Sequence, residues 1–401
     1  MIFAKQHQIF EGSHKSLTLS KYQSLAQKTD AGVREGDSEL AFPLLGLFGE
    51  VGSLLSELKK KQRDADSYVG YQHSVIEELG DVLWYLSTTA TRAGLRLGDL
   101  GHRAIHPSSQ RNTLPQSNDL SFVSLQPNIT HTGPKRPEAF EQTLMHLAGH
   151  VGHTLTDYTA GRLTDNRDAL SGDLIPIFRL LIQAAEEADI SFAEAAYGNL
   201  DKIFDRWPAE KKYPKHFDEQ FDLDEQLPRL IEMEIFEKEV GGKIYVFQRC
   251  NGIKIGDRLT DNKIEEDDYR FHDVFHLAYA AILGWSPVTR SLFRVKRKSN
   301  PKIDESEDGA RAALIEEGVA TWIFNHAERL NYFENMQRLD YGLLKAIREL
   351  VRGYEAEHCP LWLWEEAILE SYKVFRALRC YRRGVVVANL NERTLIFKEM
   401  P

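Results

Sequence analysis

Between Leu44 and Leu100 the chain carries two amphipathic segments, which constrain its fold more than any other part. In each segment apolar residues recur at the short spacings that a helix packed against a core requires. The two stripes consist of Leu44, Phe48, Val51, Leu55 and Leu58, and of Leu79, Val82, Leu83 and Leu86. We therefore predict two helices of an all-α bundle, with these apolar faces buried.

Acidic residues lie along one edge of each predicted helix. Glu50 and Glu57 are seven residues apart beside the first stripe, and Glu78 and Asp81 are three apart beside the second. If the helices pair antiparallel, the two acidic edges can face each other. Oxygen ligands gathered in this way suit Mg²⁺, which binds phosphate oxygens and activates water. A solvent-exposed acidic face is the alternative, since such faces are common on soluble helices.

The segment GLFGEVGSLLSELKK, followed by EELGDVLWYL, closely resembles the MazG-like family of all-α nucleoside triphosphate pyrophosphohydrolases. That family carries Glu-x-x-Glu, a spacer and Glu-x-x-Asp. The resemblance implies that Glu50, Glu78 and Asp81 hold Mg²⁺, or Mn²⁺ in its place. Ser53 stands at the second Glu of the pattern, where a hydroxyl is a far weaker ligand than a carboxylate. Glu57, one turn further on, is the residue that could compensate.

The resemblance continues on both sides of this segment. Residues 17–30 look like the family's opening helix, with Ser20 as its N-cap. Further along, the family has an Asn and a Lys that contact nucleotide, which implies substrate-binding roles for Asn199 and Lys202, with Arg206 following. The N-terminal domain is therefore predicted to span residues 1–208.

The segment from Leu144 repeats the pattern that starts at Leu44, which indicates an internal duplication. The copies would be residues 17–102 and 137–208, joined by a linker at 103–136 that is rich in Pro, Ser, Asn and Thr. Different residues occupy the corresponding positions of the second copy. In order, His150, His153, Asp157, Asp173 and Pro176 stand opposite Glu50, Ser53, Glu57, Glu78 and Asp81. We interpret this copy as stripped of its metal-binding acids and the domain as a pseudo-dimer. A coincidence of two common helical stripes is the alternative.

Further site residues follow from the chemistry of phosphate-bond hydrolysis. A carboxylate not fully engaged with metal, Glu57 or Glu77, would orient and deprotonate the attacking water. Lys60 and Lys61 could contact phosphate, although lysines at a helix C-terminus are equally expected from the helix dipole alone.

Nucleotide binding of the Walker or Rossmann type is not indicated, because the sequence has no Gly-rich phosphate loop of either kind. A nucleotide site would therefore have to be of the carboxylate–metal kind. Trp84 and its neighbour Tyr85 could stack on the base, with packing in the core or at an interface as the alternative.

The composition is that of an ordinary globular protein. A net charge of −10 argues against general nucleic-acid binding and against membrane-surface binding. The first residues lack the apolar run of a signal peptide, and no segment is expected to reach transmembrane length. Three scattered cysteines indicate neither a disulfide framework nor a zinc ribbon. We expect a cytoplasmic protein, and the family resemblance implies a homo-oligomer.

Residues 209–401 are predicted to form a separate, helix-rich α+β domain. Apolar and polar residues alternate on both sides of Gly241 and Gly242, which is typical of a β-hairpin. The final residues, GVVVANLNERTLIFKEM, indicate a strand, a turn and a strand. Helical stripes are predicted over 266–284, 307–330, 338–356 and 361–382. The whole chain is therefore expected to be mainly α with a small sheet.

A His-Asp-x-x-His motif marks a candidate second site. His272 and His276 are four residues apart on one helical face, the spacing at which two imidazoles grip one metal ion. The motif resembles the zinc-peptidase His-Glu-x-x-His with Asp273 in place of Glu, and Glu316 or Glu317 would supply a third ligand. The basic residues that could receive a phosphate are Arg294, Lys296, Arg297 and Lys298. The alternative is a packed helix whose polar groups are satisfied. The segment also resembles the C-terminal region attached to some MazG-like proteins.

Three classes of function follow. The first is a Mg²⁺-dependent pyrophosphohydrolase that converts a nucleoside triphosphate to the monophosphate and pyrophosphate. The second is a nucleotide sensor that still binds nucleotide but has lost turnover, because Ser53 replaces the Glu of the family pattern. The third is a metal-dependent hydrolase acting through His272 and His276, with a second divalent metal there and the N-terminal half as scaffold.

Overall fold

A computed structural model describes residues 17–30, 39–106, 119–127 and 137–400. The chain divides into two compact units, with the boundary between Ala209 and Glu210. The fold class is the expected one, mainly α with a small antiparallel sheet.

The described part of the N-terminal unit is helical. Its helices are α1 (Leu19–Gln27), α2 (Ala41–Asp64), α3 (Tyr71–Arg92), α4 (Leu97–Ile105), α5 (Phe122–Leu125), α6 (Pro137–Thr159), α7 (Arg167–Glu187) and α8 (Phe192–Arg206). The two long pairs, α2 with α3 and α6 with α7, pack on each other through α2–α6 and α3–α7 contacts, and α8 packs on α3. The arrangement brings the two predicted copies into one core.

Side-chain caps fix where several of these helices begin. Thr18, Asn166 and Ser191 each accept a hydrogen bond from the backbone N–H three residues ahead. Such caps satisfy N–H groups that the helix itself leaves without a partner. The cap expected at Ser20 is wrong, because Ser20 lies inside α1 and its hydroxyl donates to Asp119 at 2.8 Å.

The buried face of α2 differs from the predicted one. Phe48 is 45% exposed and Leu55 is half-buried, whereas Leu47 and Leu54 are fully buried. The other three predicted positions are buried, as are all four of the α3 stripe. Leucines lie on both candidate faces of α2, so helical periodicity fits either face, and packing between α3 and α6 selects one.

One helical segment in the described part of the chain, Ala41–Ser67, is long and apolar enough to cross a membrane by length and composition alone. The expectation that no segment reaches that length is wrong on this criterion. The core helix of a soluble protein passes the same test, and α2 buries leucines against α3 and α6. The property is therefore weak evidence for a membrane span.

Part of the predicted linker belongs to the core. Helix α4 ends at Ile105, and the ring of Phe122 on α5 is fully buried between Tyr22 and Phe192, with centroids 5.5 Å from each. The remainder of the linker, 107–118 and 128–136, lies outside the described residues. Residues 119–127 therefore join the α1 and α8 ends of the bundle rather than bridging two domains.

The C-terminal unit is built on a five-stranded antiparallel sheet in the order β3-β2-β1-β4-β5. Its strands are β1 (Leu230–Val240), β2 (Lys243–Cys250), β3 (Ile253–Lys254), β4 (Arg383–Asn389) and β5 (Thr394–Lys398). Val240 pairs with Lys243, and Gly241 and Gly242 both have positive φ, as a tight two-residue hairpin turn requires. Both predicted hairpins are confirmed.

The described part of the C-terminal unit also contains six α-helices, of which the first and the last pack against β4 and β5 of the sheet. They are α9 (Asp273–Ala278), α10 (Pro287–Phe293), α11 (Pro301–Ser306), α12 (Ala310–Glu328), α13 (Tyr341–Leu350) and α14 (Leu361–Tyr381). The helix predicted over 266–284 is in three pieces, because a 3₁₀ turn at Tyr269–Phe271 precedes α9 and a π-helix at Tyr279–Leu283 follows it. Short 3₁₀ and π segments of this kind often occur at functional sites.

Candidate metal centre

Three acidic side chains converge between α2 and α3. Glu50 on α2 and Glu78 and Asp81 on α3 each offer a carboxylate oxygen, and these oxygens lie within 4.8 Å of one another. All three residues are partly buried. The two acidic edges therefore meet, and they are not a row of solvent-exposed charges.

The pKa values of the three carboxyl groups are raised above their usual range. Burial, then the charges of Asp81 and Glu50, raise the pKa of Glu78 to about 8. Burial and the charge of Asp81 also raise the pKa of Glu50, which shares a hydrogen bond with Glu78. The buried Oε2 of Glu78 has no hydrogen-bond partner among the described residues. A buried acceptor without a donor, beside two further carboxylates, fits a hard divalent cation such as Mg²⁺.

Asp81 is held in place from α8. Lys202 donates to Asp81 Oδ2, and Asn199 Nδ2 donates to Oδ1 at 2.8 Å. Tyr22, fully buried on α1, donates to Asn199 Oδ1 at 2.8 Å. The predicted nucleotide-contacting pair therefore lies at the acidic cluster, where it orients and partly neutralises Asp81. Tyr22 was not predicted from the sequence, because only the tertiary fold brings α1 to α8.

A glycine allows this approach of α8 to α3. A Cβ built on Gly80 would lie 2.7 Å from the carbonyl oxygen of Ala195 and 2.8 Å from Cβ of Asn199. Both contacts are shorter than real Cβ atoms tolerate, and the first is with backbone. Gly80 therefore sets the separation at which Asn199 reaches Asp81. The sequence pattern gave no signal for this role beyond a glycine within a helical stripe.

The carboxylates proposed for water activation differ in their surroundings. Glu77 lies beside the cluster, with its Oε1 3.4 Å from Nζ of Lys202. Glu57 is 6% exposed and is not one of the three converging acids, since its oxygens bind Lys60 at 2.5 Å and the hydroxyl of Tyr68. Of the two candidates, Glu77 is the one positioned by a residue of the cluster.

Ser53 lies next to the cluster as well. Its hydroxyl hydrogen-bonds to Glu50, which lowers the pKa of that carboxyl in part. At the position where the family pattern has a Glu, this chain therefore offers a group that orients a carboxylate instead of an additional charge.

The two lysines at the end of α2 have partners within the protein. Lys60 pairs with Glu57, and Lys61 donates to the carbonyl oxygen of Ala65 at 2.7 Å, just past the helix end. Lys61 therefore has the role expected of a lysine at a helix C-terminus, where it binds a backbone carbonyl group. Arg206, one turn beyond Lys202, stacks over Trp207 at 4.7 Å.

Of the two aromatic candidates, Tyr85 lies at the cluster. Burial raises its pKa, and the charges of Glu50 and Asp81 raise it further. Trp84 is 9% exposed and donates its indole N–H to Thr29 at 3.3 Å. The packing alternative therefore describes Trp84, and Tyr85 is the aromatic group beside the acids.

The predicted second copy also contains a cluster of side chains that could bind a metal ion. His153 and Asp157 on α6 and Asp173 on α7 each offer a ligand atom within 4.8 Å of the others. Two acidic side chains, Asp157 and Asp173, therefore lie together in this predicted copy. Arg162 binds Asp157 through two nitrogens, which neutralises one of the two carboxylates.

The histidines of the C-terminal motif converge with Glu317. His272, His276 and Glu317 each offer a ligand atom within 4.8 Å of the others. Glu316 is fully buried and hydrogen-bonds to Nδ1 of His276 at 2.8 Å. Burial lowers the pKa of His276, but Glu316 and Glu317 outweigh it and hold that pKa well above its usual value. Asp273 Oδ1 lies 3.1 Å from Nε2 of His272.

The phosphate role expected of Arg297 is wrong. Its guanidinium is 1% exposed and binds the buried Asp308 at 2.8 Å and Glu355 at 2.9 Å. Lys298 is exposed and lies near Asp304. The run of basic residues in the sequence gave no indication that Arg297 is buried and pairs with two carboxylates.

Comparisons with known proteins agree with this division of the chain. Residues 212–401 match the family model of the MazG C-terminal domain. The C-terminal unit is MazG-related. The chain is also 29% identical over 96 residues to the Gene 37 protein of Mycobacterium phage L5, a match that covers 22% of this chain and 84% of that protein. No solved structure matches the chain.

Proposed function

We propose that this MazG-related chain is a Mg²⁺-dependent nucleoside triphosphate pyrophosphohydrolase, which converts an NTP or dNTP to the monophosphate and pyrophosphate. The observation that carries the proposal is the convergence of Glu50, Glu78 and Asp81, with a buried oxygen of Glu78 lacking a donor among the described residues. The sequence around these acids resembles the catalytic family, and the C-terminal unit matches a domain of MazG proteins. Two separate parts of the chain thus support one family.

The three acids would hold Mg²⁺, which supplies charge neutralisation for the phosphates and for the departing pyrophosphate. Glu77 orients a water and accepts its proton as that water attacks phosphorus. Lys202, with a side chain 20% exposed, can pair with a phosphate oxygen as well as with Asp81. Asn199 and Tyr22 keep Asp81 oriented, and Tyr85 offers a face for the base.

The test is pyrophosphate release across a panel of NTPs and dNTPs, with and without Mg²⁺. The wild-type chain should release pyrophosphate only with the metal, and Glu78→Gln should lower turnover by about 100-fold or more, since it removes one of the carboxylates that would hold the metal at the reacting phosphates. Glu138→Gln, at an exposed position in the first turn of α6, is the matched control and should retain activity.

A nucleotide-binding role without turnover is the second candidate, and Ser53 in place of the family's Glu favours it. Calorimetry with the same panel separates the two. Nucleotide binding with no pyrophosphate release would support the sensor. A chain that neither binds nor hydrolyses any nucleotide would contradict both proposals.

A further inference from the structure

The C-terminal unit contains two histidines whose hydrogen bonds fix their tautomers. His272 Nδ1 lies 2.9 Å from the carbonyl oxygen of Tyr269, and His276 Nδ1 lies 2.8 Å from Oε1 of Glu316. A carbonyl and a carboxylate only accept, so Nδ1 carries the hydrogen in both rings. Nε2 is then the nitrogen of each ring that remains to bind a partner on the other side. This tautomer, held by a hydrogen bond on the opposite nitrogen, is the usual one for histidines that bind metals.

Both Nε2 atoms face carboxylate oxygens. His276 Nε2 is buried and has no hydrogen-bond partner among the described residues, and Oε2 of Glu317 lies 3.4 Å away. Two ligand atoms bound tetrahedrally to one Zn²⁺ at its usual bond lengths lie about 3.3 Å apart. The observed separation is long for a hydrogen bond but suits a shared metal ion. His276 itself is 2% exposed, so its ring lies away from bulk solvent.

The surroundings supply rigidity and negative charge. The ring of Tyr269 stacks on His272 with a centroid distance of 4.5 Å, and its hydroxyl contacts Thr321 of α12 at 2.7 Å. Glu316 accepts hydrogen bonds from the hydroxyl of Ser286 at 2.6 Å and from the backbone N–H of Val288 at 2.8 Å. These bonds fix the position of its carboxylate behind His276. Fixed ligands with a carboxylate behind one imidazole are the support that metal-binding histidines normally have.

We propose that His272, His276 and Glu317 form a binding site for a divalent transition metal of the Zn²⁺ class in the C-terminal unit. Two imidazoles and one carboxylate are a ligand set of zinc sites that keep a fourth position open. The Glu317 side chain is 41% exposed, which leaves the metal reachable from solvent. Asp273, beside His272 and held by Gln248, is a positioning residue at this site. The site is separate from the proposed Mg²⁺ centre and does not depend on it.

The experiment uses the full chain with Glu78→Gln in the background, so that the N-terminal acids contribute less metal binding. After chelation and reloading with Zn²⁺, elemental analysis should find about one zinc per chain. Adding Glu317→Gln should weaken zinc binding by at least about 10-fold, as loss of a charged ligand implies. Glu328→Gln, exposed at the end of the same helix, is the matched control and should keep the zinc.

Substitution with Co²⁺ provides a readout that does not depend on activity. The loaded chain should show the visible absorption of Co²⁺ in a low-coordinate site with nitrogen ligands, and His272→Ala should abolish it. Circular dichroism of each variant shows whether it has folded. Equal zinc content with and without Glu317→Gln would overturn the proposal. So would a zinc-loaded chain in which nitrogen NMR finds the Nε2 signal of His276 unchanged from that of the zinc-free chain, because the metal would then not be bound to that nitrogen.

Discussion

Asn199 donates a 2.8 Å hydrogen bond to Asp81 across 118 positions of the sequence. Asp81 belongs to the first predicted copy and Asn199 to the end of the second, so the candidate centre draws on both. Substitutions at the contact between α3 and α8 are therefore expected to shift the acidic side chains even when those side chains are not themselves replaced.

Gly80→Ala should destabilise the N-terminal unit. The new Cβ would lie 2.7 Å from a backbone oxygen of α8, and overpacking of this kind costs about 1–3 kcal/mol in the free energy of unfolding. Thermal and urea unfolding measure the loss. Gly172→Ala in α7, where a Cβ meets nothing within 4 Å, is the control and should be neutral or stabilising by up to about 1 kcal/mol. Equal effects of the two substitutions would exclude a tight contact at Gly80.

Metal binding should strengthen as pH rises towards 8 and release protons. Below its pKa of about 8, Glu78 is protonated, and the proton must leave before the carboxylate can bind a cation. Calorimetric titration with Mg²⁺ in buffers of different ionisation enthalpy measures both affinity and proton release. Glu78→Gln should remove the pH dependence. Affinity that does not change between pH 6 and 9 in the wild-type chain would contradict this assignment.

The same carboxyl predicts the pH dependence of stability without metal. The folded-state pKa of Glu78 is raised from 4.5 to about 8, so the folded state binds more protons than the unfolded state between these values. The stability contributed by this group is full below pH 4.5 and is lost as pH rises through 8. Melting temperatures of the wild type should therefore fall relative to Glu78→Gln over this range, and Mg²⁺ should reverse the fall. A difference between the two chains that stays constant with pH would exclude the raised pKa.

Trp84 and Tyr85 should separate stability from nucleotide binding. Trp84→Phe removes buried volume and a hydrogen bond to Thr29, and a loss of about 1–3 kcal/mol in unfolding free energy is expected. Its KM for nucleotide should not change. Tyr85→Leu should raise KM several-fold, because the aromatic face beside Glu50 is lost. The roles would be reversed if KM responded to Trp84 and not to Tyr85.

Arg297→Met should be among the most damaging substitutions in the C-terminal unit. It would leave the buried Asp308 without its main cation, and breaking a buried ion pair on one side costs about 3–5 kcal/mol. Lys298→Met, at a side chain that is 72% exposed, is the control and should change stability by less than about 1 kcal/mol. Denaturant unfolding compares the two. Tolerance of the arginine substitution would contradict a structural role for the buried Arg297–Asp308 pair.

Much of the fold could be predicted from local patterns. Helical periodicity located α2, α3, α6 and α7, and turn glycines with alternating residues located the β1–β2 hairpin. Periodicity could not choose between Phe48 and Leu47 as a core position of α2, because both lie on apolar faces. That choice depends on which helices pack against α2, which is tertiary information.

The candidate site could be predicted only in part, because some of its residues meet through tertiary contacts. Glu50, Glu78 and Asp81 were found by their spacing and by family resemblance, which are properties of the sequence. Tyr22 and Gly80 act through contacts with α8 that lie more than a hundred residues away along the chain. The burial of Arg297 depends on Asp308 and Glu355, which come from other elements. No local pattern encodes such partners.

The two stacked helix pairs of the N-terminal unit also bear on how such a protein can change over generations. In an assembly of identical subunits, every mutation appears at each equivalent place, so a harmful change is suffered twice. Here one pair carries Glu50, Glu78 and Asp81 while its counterpart carries His153, Asp157 and Asp173. A single gene that encodes both halves lets one be conserved by selection while the other drifts or acquires a separate task.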